Sequence, residues 1–150
     1  PDCADPAGYA AALEQLRSLA DGLRGRAVRR ACLHGDLTLA NLLFDEGRVT
    51  GIDFENLRQH PADRDIGELW ADLLLHVRRL PPELRLMPEP WERAFAAEYP
   101  ALSPEIARFY TRHRLLRAWA AIPAEAHHRG PGRERQLINI RALMVRGAFA

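Results

Sequence analysis

Apolar residues recur at helical spacing over most of this chain and give way to a strand-like pattern in only one stretch. Tyr9, Leu13, Leu16, Leu19 and Leu23 step by threes and fours, which predicts a helix with one buried face. Asp5-Pro6 supplies its start, a capping side chain followed by proline in the first turn, and Gly22 and Gly25 its end. Ile66, Leu69, Trp70, Leu73, Leu74, Val77 and Leu80 form a wider stripe, stopped by Pro81-Pro82. A proline-rich connector to about Pro90 leads into a short helix carrying Trp91, Phe95 and Tyr99. Ser103-Pro104-Glu105 opens a longer helix with Ile106, Phe109, Tyr110, Leu116 and Trp119, and Pro123 ends it. Gly130-Pro131-Gly132 reads as a loop, followed by a last helix over 133–145.

The exception lies between Val28 and Phe54. Val28 to Leu33 is an apolar run broken by Arg29 and Arg30, the pattern of a brief strand. Leu42-Leu43-Phe44 and Arg48 to Phe54 flank Asp45-Glu46-Gly47, a hairpin signal with glycine available for a positive φ. The expected fold is therefore mainly α with a small β-hairpin at Leu42 to Phe54, in a single domain over residues 1–150.

Composition narrows the classes of function. With 47% hydrophobic and 27% charged residues the chain is that of a soluble globular protein, and no apolar run has the length needed to cross a bilayer. The net charge of +1, with acidic and basic residues interspersed, argues against a nucleic-acid partner. Cys3 and Cys32 make no disulfide framework and have no second cysteine at metal-ligand spacing, so a reducing cytoplasm is expected. All 21 basic residues are arginine.

That last fact matters because of one motif. His34-Gly35-Asp36-Leu37-Thr38-Leu39-Ala40-Asn41 is followed by Gly51-Ile52-Asp53-Phe54-Glu55. Asn41 stands five positions after Asp36, and Asp53 twelve after Asn41. Phosphoryl transfer in kinases uses this order: an aspartate that receives the acceptor's proton, then an asparagine and an aspartate on magnesium. The hairpin would bring Asp53 back toward Asn41. An aspartate in an otherwise apolar strand is costly to bury without a counter-ion, which favours a functional reading of Asp53. Kinases also hold the nucleotide's phosphates with a lysine and a glycine-rich loop, and neither occurs here.

The two blocks resemble the aminoglycoside phosphotransferase and choline kinase superfamily, whose fold is similar to that of protein kinases. The family's His-Gly-Asp-x-x-x-x-Asn stands here as His34 to Asn41, and its Ile-Asp-Phe/Trp-Glu/Asp as Ile52 to Glu55. The resemblance continues through Pro61 and Asp65-Ile66-Gly67, with a Pro-to-Asp spacing one residue longer than the family's, so that Asp63 or Asp65 is the counterpart; the Ile-Gly that follows favours Asp65. It implies the C-terminal, catalytic lobe of a protein-kinase-like α+β fold, without the N-terminal nucleotide-binding lobe. By the same resemblance, Asp36 would be the catalytic residue, Asn41 and Asp53 would bind magnesium and ATP or another nucleoside triphosphate, and a small-molecule hydroxyl would be the acceptor. His34, Gly35 and Asp65 would be structural support. His34 would pack and hydrogen-bond, Gly35 would allow a tight backbone, and Asp65 would cap its helix and brace the loop. Glu55 is either a second acid near the metal or a strand end.

Competing readings are weighed on the same residues. A non-catalytic remnant of the fold accords with the missing lysine, but it need not keep Asp36, Asn41 and Asp53 together. A metal-dependent phosphoesterase would want further ligands in short motifs, and no Asp-x-His occurs. His127-His128 reads as solvated surface, and the arginines from Arg108 to Arg117 as the wet face of an amphipathic helix. Without a nucleotide-binding lobe, the isolated chain is expected to be inactive.

Overall fold

The computed structural model describes residues 3–54, 59–77, 88–125 and 130–145, without the side chains of 77, 88–91 and 145. In chain order it contains α1 (Pro6–Leu23), β1 (Arg30–Cys32), a 3-10 turn at Leu39–Asn41, β2 (Leu42–Asp45), β3 (Arg48–Gly51), β4 (Gln59–Pro61), α2 (Asp63–Val77), α3 (Pro88–Glu98), α4 (Pro104–Ala120) and α5 (Pro131–Val145). The described chain is thus mainly helical, with small antiparallel sheets.

Each helix begins for a local reason. Asp5 caps α1, its Oδ1 accepting from the Gly8 amide at 3.1 Å, and Pro6 occupies the first turn, where no amide is needed. Pro104 likewise occupies the first turn of α4, but the Ser103 hydroxyl before it caps no amide and donates to the Glu105 carboxylate at 3.1 Å. Pro131 and Gly132, read from sequence as loop, belong to the first turn of α5, since proline is well suited to that position. The predicted stop at Pro81-Pro82 lies outside the described residues.

The core is built where α2 crosses α4. Ala71 and Leu74 of α2 meet Leu115, Leu116 and Trp119 of α4, and Leu137, Ile140, Leu143 and Met144 of α5 close the cluster with Ala12 and Leu16 of α1. A smaller cluster groups Trp70, Leu102 and Ala107, with Phe95 of α3 against the Trp70 ring. Gly67 lets the two central helices touch: a Cβ there would collide with the carbonyl of Ala107 and with Cβ of Tyr110. Thr111, fully buried, donates from its hydroxyl to the carbonyls of Gly67 and Ala107, both at 3.0 Å. The α1 stripe is only partly covered, with Leu19 38% exposed. The chain preceding α1 is tied to the end of α4, where the Trp119 indole donates to the Ala4 carbonyl at 2.6 Å.

The two sheets are small and separate. β2 and β3 pair from Leu42↔Gly51 to Asp45↔Arg48, and Glu46 and Gly47 turn the chain with φ of 41° and 81°. Two positive φ angles in a two-residue loop match the twist of the flanking strands. The hairpin is shorter than its apolar pattern suggests. Its strands stop at Gly51, because the chain opposite passes into the 3-10 turn before Leu42, where only the Ile52 amide continues the pairing, to the Asn41 carbonyl at 3.0 Å. The second sheet pairs β1 with β4, Arg30↔Pro61 to Cys32↔Gln59. The β4 segment Gln-His-Pro has no alternation to reveal it and exists because β1 supplies a partner.

Candidate functional site

The loop from His34 to Asn41 is suspended from α2 by two carboxylates. Asp65 accepts from the backbone amides of His34 at 2.7 Å and Gly35 at 3.2 Å, one through each oxygen. Asp72, two helical turns on, accepts from the Leu39 amide at 2.8 Å. Two carboxylate-to-amide bonds at one end and one at the other fix the backbone on both sides of Asp36, and such charge-assisted bonds are the strong kind. Of the two candidate acids in this helix, Asp65 faces the loop. Asp63 points elsewhere and accepts from the Ser103 amide at 2.6 Å, joining the starts of α2 and α4. Asp65 takes its partners from the loop and none from the first amides of α2, in contrast to the expected helix cap.

Gly35 has φ of 88°, a conformation other residues adopt only with strain, and it turns the chain so that Asp36 leaves the loop. Asn41 then folds back. Its side-chain amide nitrogen donates to the Asp36 carbonyl at 2.9 Å and to Asp36 Oδ2 at 3.3 Å. With the nitrogen so engaged, the amide oxygen of Asn41 is left as a ligand. The other Asp36 oxygen, Oδ1, lies 3.7 Å from Nη2 of Arg114 on α4. The Asp36 and Arg114 side chains are 36% and 31% exposed, so this pair sits at the rim of the body and is not sealed inside it.

His34 is 6% exposed, and its ring stacks on Phe54 at 4.4 Å between centroids and lies against Gly51. The packing expected of it is present. Its ring nitrogens, however, find no hydrogen-bond partner among the described residues, in contrast to the expected hydrogen-bonding role. The connection to the loop backbone is made by its main-chain amide instead.

Asp53 differs from its sequence picture. It lies beyond the end of β3, is exposed, and has φ of 60°. The argument from burial in a strand therefore does not apply. Its neighbours still bind it to the loop: the Ile52 amide donates to the Asn41 carbonyl at 3.0 Å, and Phe54 stacks on His34. Asp53 is thus held between two residues tied to the motif, with no hydrogen bond or ion pair to its own carboxylate among the described residues. Asp36 and Asn41 are in direct contact, whereas Asp53 is joined to them through backbone. Glu55 and His127-His128 lie outside the described residues.

The described residues contain no group of three His, Cys, Asp or Glu side chains able to hold a metal unaided. A hard cation such as Mg²⁺ takes oxygen ligands and usually shares them with substrate phosphates. An amide oxygen from Asn41 and a carboxylate from Asp53 fit a site of that incomplete kind.

Two residues of the site have no sequence motif. One is Asp72. The other is Arg114, from the stretch read as a wet helix face. That stretch is not one face: at 100° per residue, Arg108 and Arg112 point one way and Arg114 and Arg117 another. Arg108 makes a paired contact with Glu92 of α3, at 2.9 and 2.6 Å. Burial, reinforced by Arg108, lowers the Arg112 pKa. Burial likewise lowers the His113 pKa and raises that of Tyr110.

Two hollows adjoin these helices. One, of about 350 Å³, lies between α2, α4 and α5 and is lined in part by Asp72 and Arg114, so it opens beside the loop. The other, of about 290 Å³ and mostly apolar, lies between α1 and α4 and touches no residue of the motif. Among the described residues no helix is long and apolar enough to cross a membrane.

Comparison with the curated proteins and with the solved structures yields no match. The model of one family, APH, described as the phosphotransferase enzyme family, matches residues 2–81. That span takes in α1, both sheets, the suspended loop and α2, and leaves α3, α4 and α5 outside. With more than half of its length matched, the chain belongs to the phosphotransferase enzyme family.

Proposed function

We propose that this chain is the acceptor-binding, catalytic lobe of a protein-kinase-like enzyme that transfers the γ-phosphoryl group of ATP, or another nucleoside triphosphate, to a hydroxyl of a small molecule. The observation that carries this reading is the contact of Asn41 with Asp36, beside a free Asp53 carboxylate held at the end of the hairpin. Asp36 would take the proton of the acceptor hydroxyl while that oxygen bonds to the γ-phosphorus and the nucleoside diphosphate leaves. The Asn41 amide nitrogen donates to Asp36, which leaves its oxygen as the atom that would hold the metal. Bound Mg²⁺ would neutralise charge on the transferring phosphates, held by Asn41 and Asp53.

The chain has no lysine and no glycine-rich loop, so the far side of the triphosphate must be held by a nucleotide-binding lobe outside these 150 residues. The hairpin accords with such a partner, because Leu43, Phe44, Val49 and Phe54 are all more than half exposed. Two cysteines that make no disulfide framework accord with a cytoplasmic setting. The lack of lysine also favours a second reading, a binding module that keeps the fold without turnover.

The test is ATP-dependent phosphorylation over a panel of hydroxyl acceptors, with the chain alone and joined to a nucleotide-binding lobe. Turnover is expected only in the joined protein, because positioning and charge neutralisation account for most of the catalysis. There, Asp36→Ala should lower it by about 10²–10⁴-fold and leave nucleotide binding intact. Unchanged turnover in that variant refutes the mechanism. Absence of turnover with nucleotide bound favours the second reading.

A further inference from the structure

The hollow between α2, α4 and α5 lies one side chain away from Asp36. Two of its lining residues belong to the loop's own supports: Arg114, 3.7 Å from Asp36, and Asp72, which holds the Leu39 amide at 2.8 Å. A molecule seated there with a hydroxyl at Asp36 would extend away from the hairpin, along α4 and toward α5. The groups it would meet are Arg117 and Arg133, with His76 and Gln136 beside them.

The charge of that wall is one-sided. Three guanidiniums face a single lining carboxylate, which accepts the Leu39 amide on Oδ2, while His76 Nδ1 lies 2.9 Å from the Asp72 main-chain carbonyl and 3.4 Å from Oδ1. Arg117 has no acidic partner among the described residues. The Arg133 guanidinium donates to the neutral Gln136 side chain at 3.1 Å and has no acidic partner among the described residues. The same helices can supply an acid to an arginine, as Glu68 of α2 does for Arg64 at 3.0 Å. Arginines left without counter-ions around a hollow beside a candidate base mark a place for an anion, because a guanidinium fork matches a carboxylate or phosphate with two parallel hydrogen bonds. The same charges oppose a polycationic or quaternary-ammonium acceptor.

We infer that the phosphoryl acceptor is a small hydroxylated anion, its hydroxyl at Asp36 and its carboxylate or phosphate held by Arg117 and Arg133. This rests on the phosphotransferase reading and narrows it. The shared chemistry is an oxyanion on a hydroxyl-bearing molecule, and a carboxylate and a phosphate ester are separate arms of the test.

Binding is measured by amide and guanidinium NMR shifts of the chain, at low and at physiological ionic strength, with glycerate, glycerol 3-phosphate, glycerol, choline and inorganic phosphate as probes. Either or both hydroxylated anions should bind and shift Arg114, Arg117 and Arg133, while glycerol and choline do not. The double variant Arg117→Gln, Arg133→Gln should weaken that binding by about tenfold or more, with the thermal unfolding midpoint retained. The charge-matched control Arg17→Gln, Arg24→Gln, on exposed α1 positions, should leave it unchanged. In the joined enzyme, the arginine double variant should raise KM for the anionic acceptor far more than it lowers kcat. Phosphorylation of a neutral or cationic acceptor with kcat/KM unchanged in that variant overturns the inference and leaves the phosphotransferase reading standing. Inorganic phosphate binding as well as the hydroxylated anions also overturns it, as a bare anion site. Anion binding in the hollow without transfer to any acceptor supports the site and overturns the phosphotransferase reading instead.

Discussion

The α2–α4 pair and the β2–β3 hairpin stand at opposite ends of the range of packing in this molecule. Between the helices, Trp70, Ala107, Leu115 and Thr111 are sealed from water, and Gly67 allows backbone to lie against backbone. On the hairpin, Phe44 is 67% and Val49 58% exposed, and the strands are held by their own ladder and a tight turn. Yet the candidate site residues hang between the two. Asp36 is suspended from α2, and Asp53 sits at the hairpin's end. Rigidity on one side and an uncovered face on the other suit a site completed by something that approaches from the hairpin side.

The contrast can be tested first at its stiffest point. Gly67→Val should lower stability by about 3 kcal/mol or more, since the added methyls meet the Ala107 carbonyl and Tyr110 with nowhere to go. Urea unfolding of the 150-residue chain measures this, and a loss below about 0.5 kcal/mol would mean the central helices separate easily. Next comes the suspension. Asp65→Ala strips two amides of their acceptor and should cost about 2 kcal/mol. Hydrogen exchange at His34 and Gly35 should speed up well before that of the α2 interior; equal acceleration in both places would show that Asp65 supports the helix and not the loop.

A smaller effect is expected at the hairpin. Phe44→Ser should change the stability of this chain by no more than about 0.5 kcal/mol, as for other exposed positions. A large loss would show that the hairpin packs against the body after all. The last effect is confined to a pH range. Burial first, then Arg117, holds His113 below its ordinary 6.5, with Glu68 opposing and Arg64 and Arg114 adding to the depression. Above 6.5 the ring is neutral in folded and unfolded chain alike. As pH falls from there toward the lower folded value, the unfolded chain takes up a proton that the folded one refuses, so stability declines. His113→Gln should flatten that part of the stability–pH curve, and an identical slope in the variant would place the titration elsewhere.

What could be read from sequence was what is decided locally. The Asp5 cap, the α2 stripe and the Glu46-Gly47 turn each depend on residues a few positions apart, and each is present in the fold. The motif was legible for the same reason, since Asp36 and Asn41 are five residues apart and touch. The β1–β4 sheet was only half visible, because Gln59-His60-Pro61 is a strand solely by virtue of Arg30-Ala31-Cys32. The apolar neighbours of Asp53 suggest burial, whereas Ile52 and Phe54 are themselves exposed. Arg114 and Asp72 were invisible as site residues: nothing near them in sequence says which side of α4 or α2 meets the loop.

The two carboxylates that hold the loop act as a ruler. Asp65 and Asp72 are seven residues apart on one helix, close to two full turns, which sets them on the same side about 10 Å apart. One inserted or deleted residue between them would swing the second anchor by about 100° and drop one end of the loop. The loop therefore fixes how many residues stand between its anchors, a constraint separate from the packing that fixes Gly67, Trp70 and Ala71 among them. Length variation in this part of the protein should collect outside that interval.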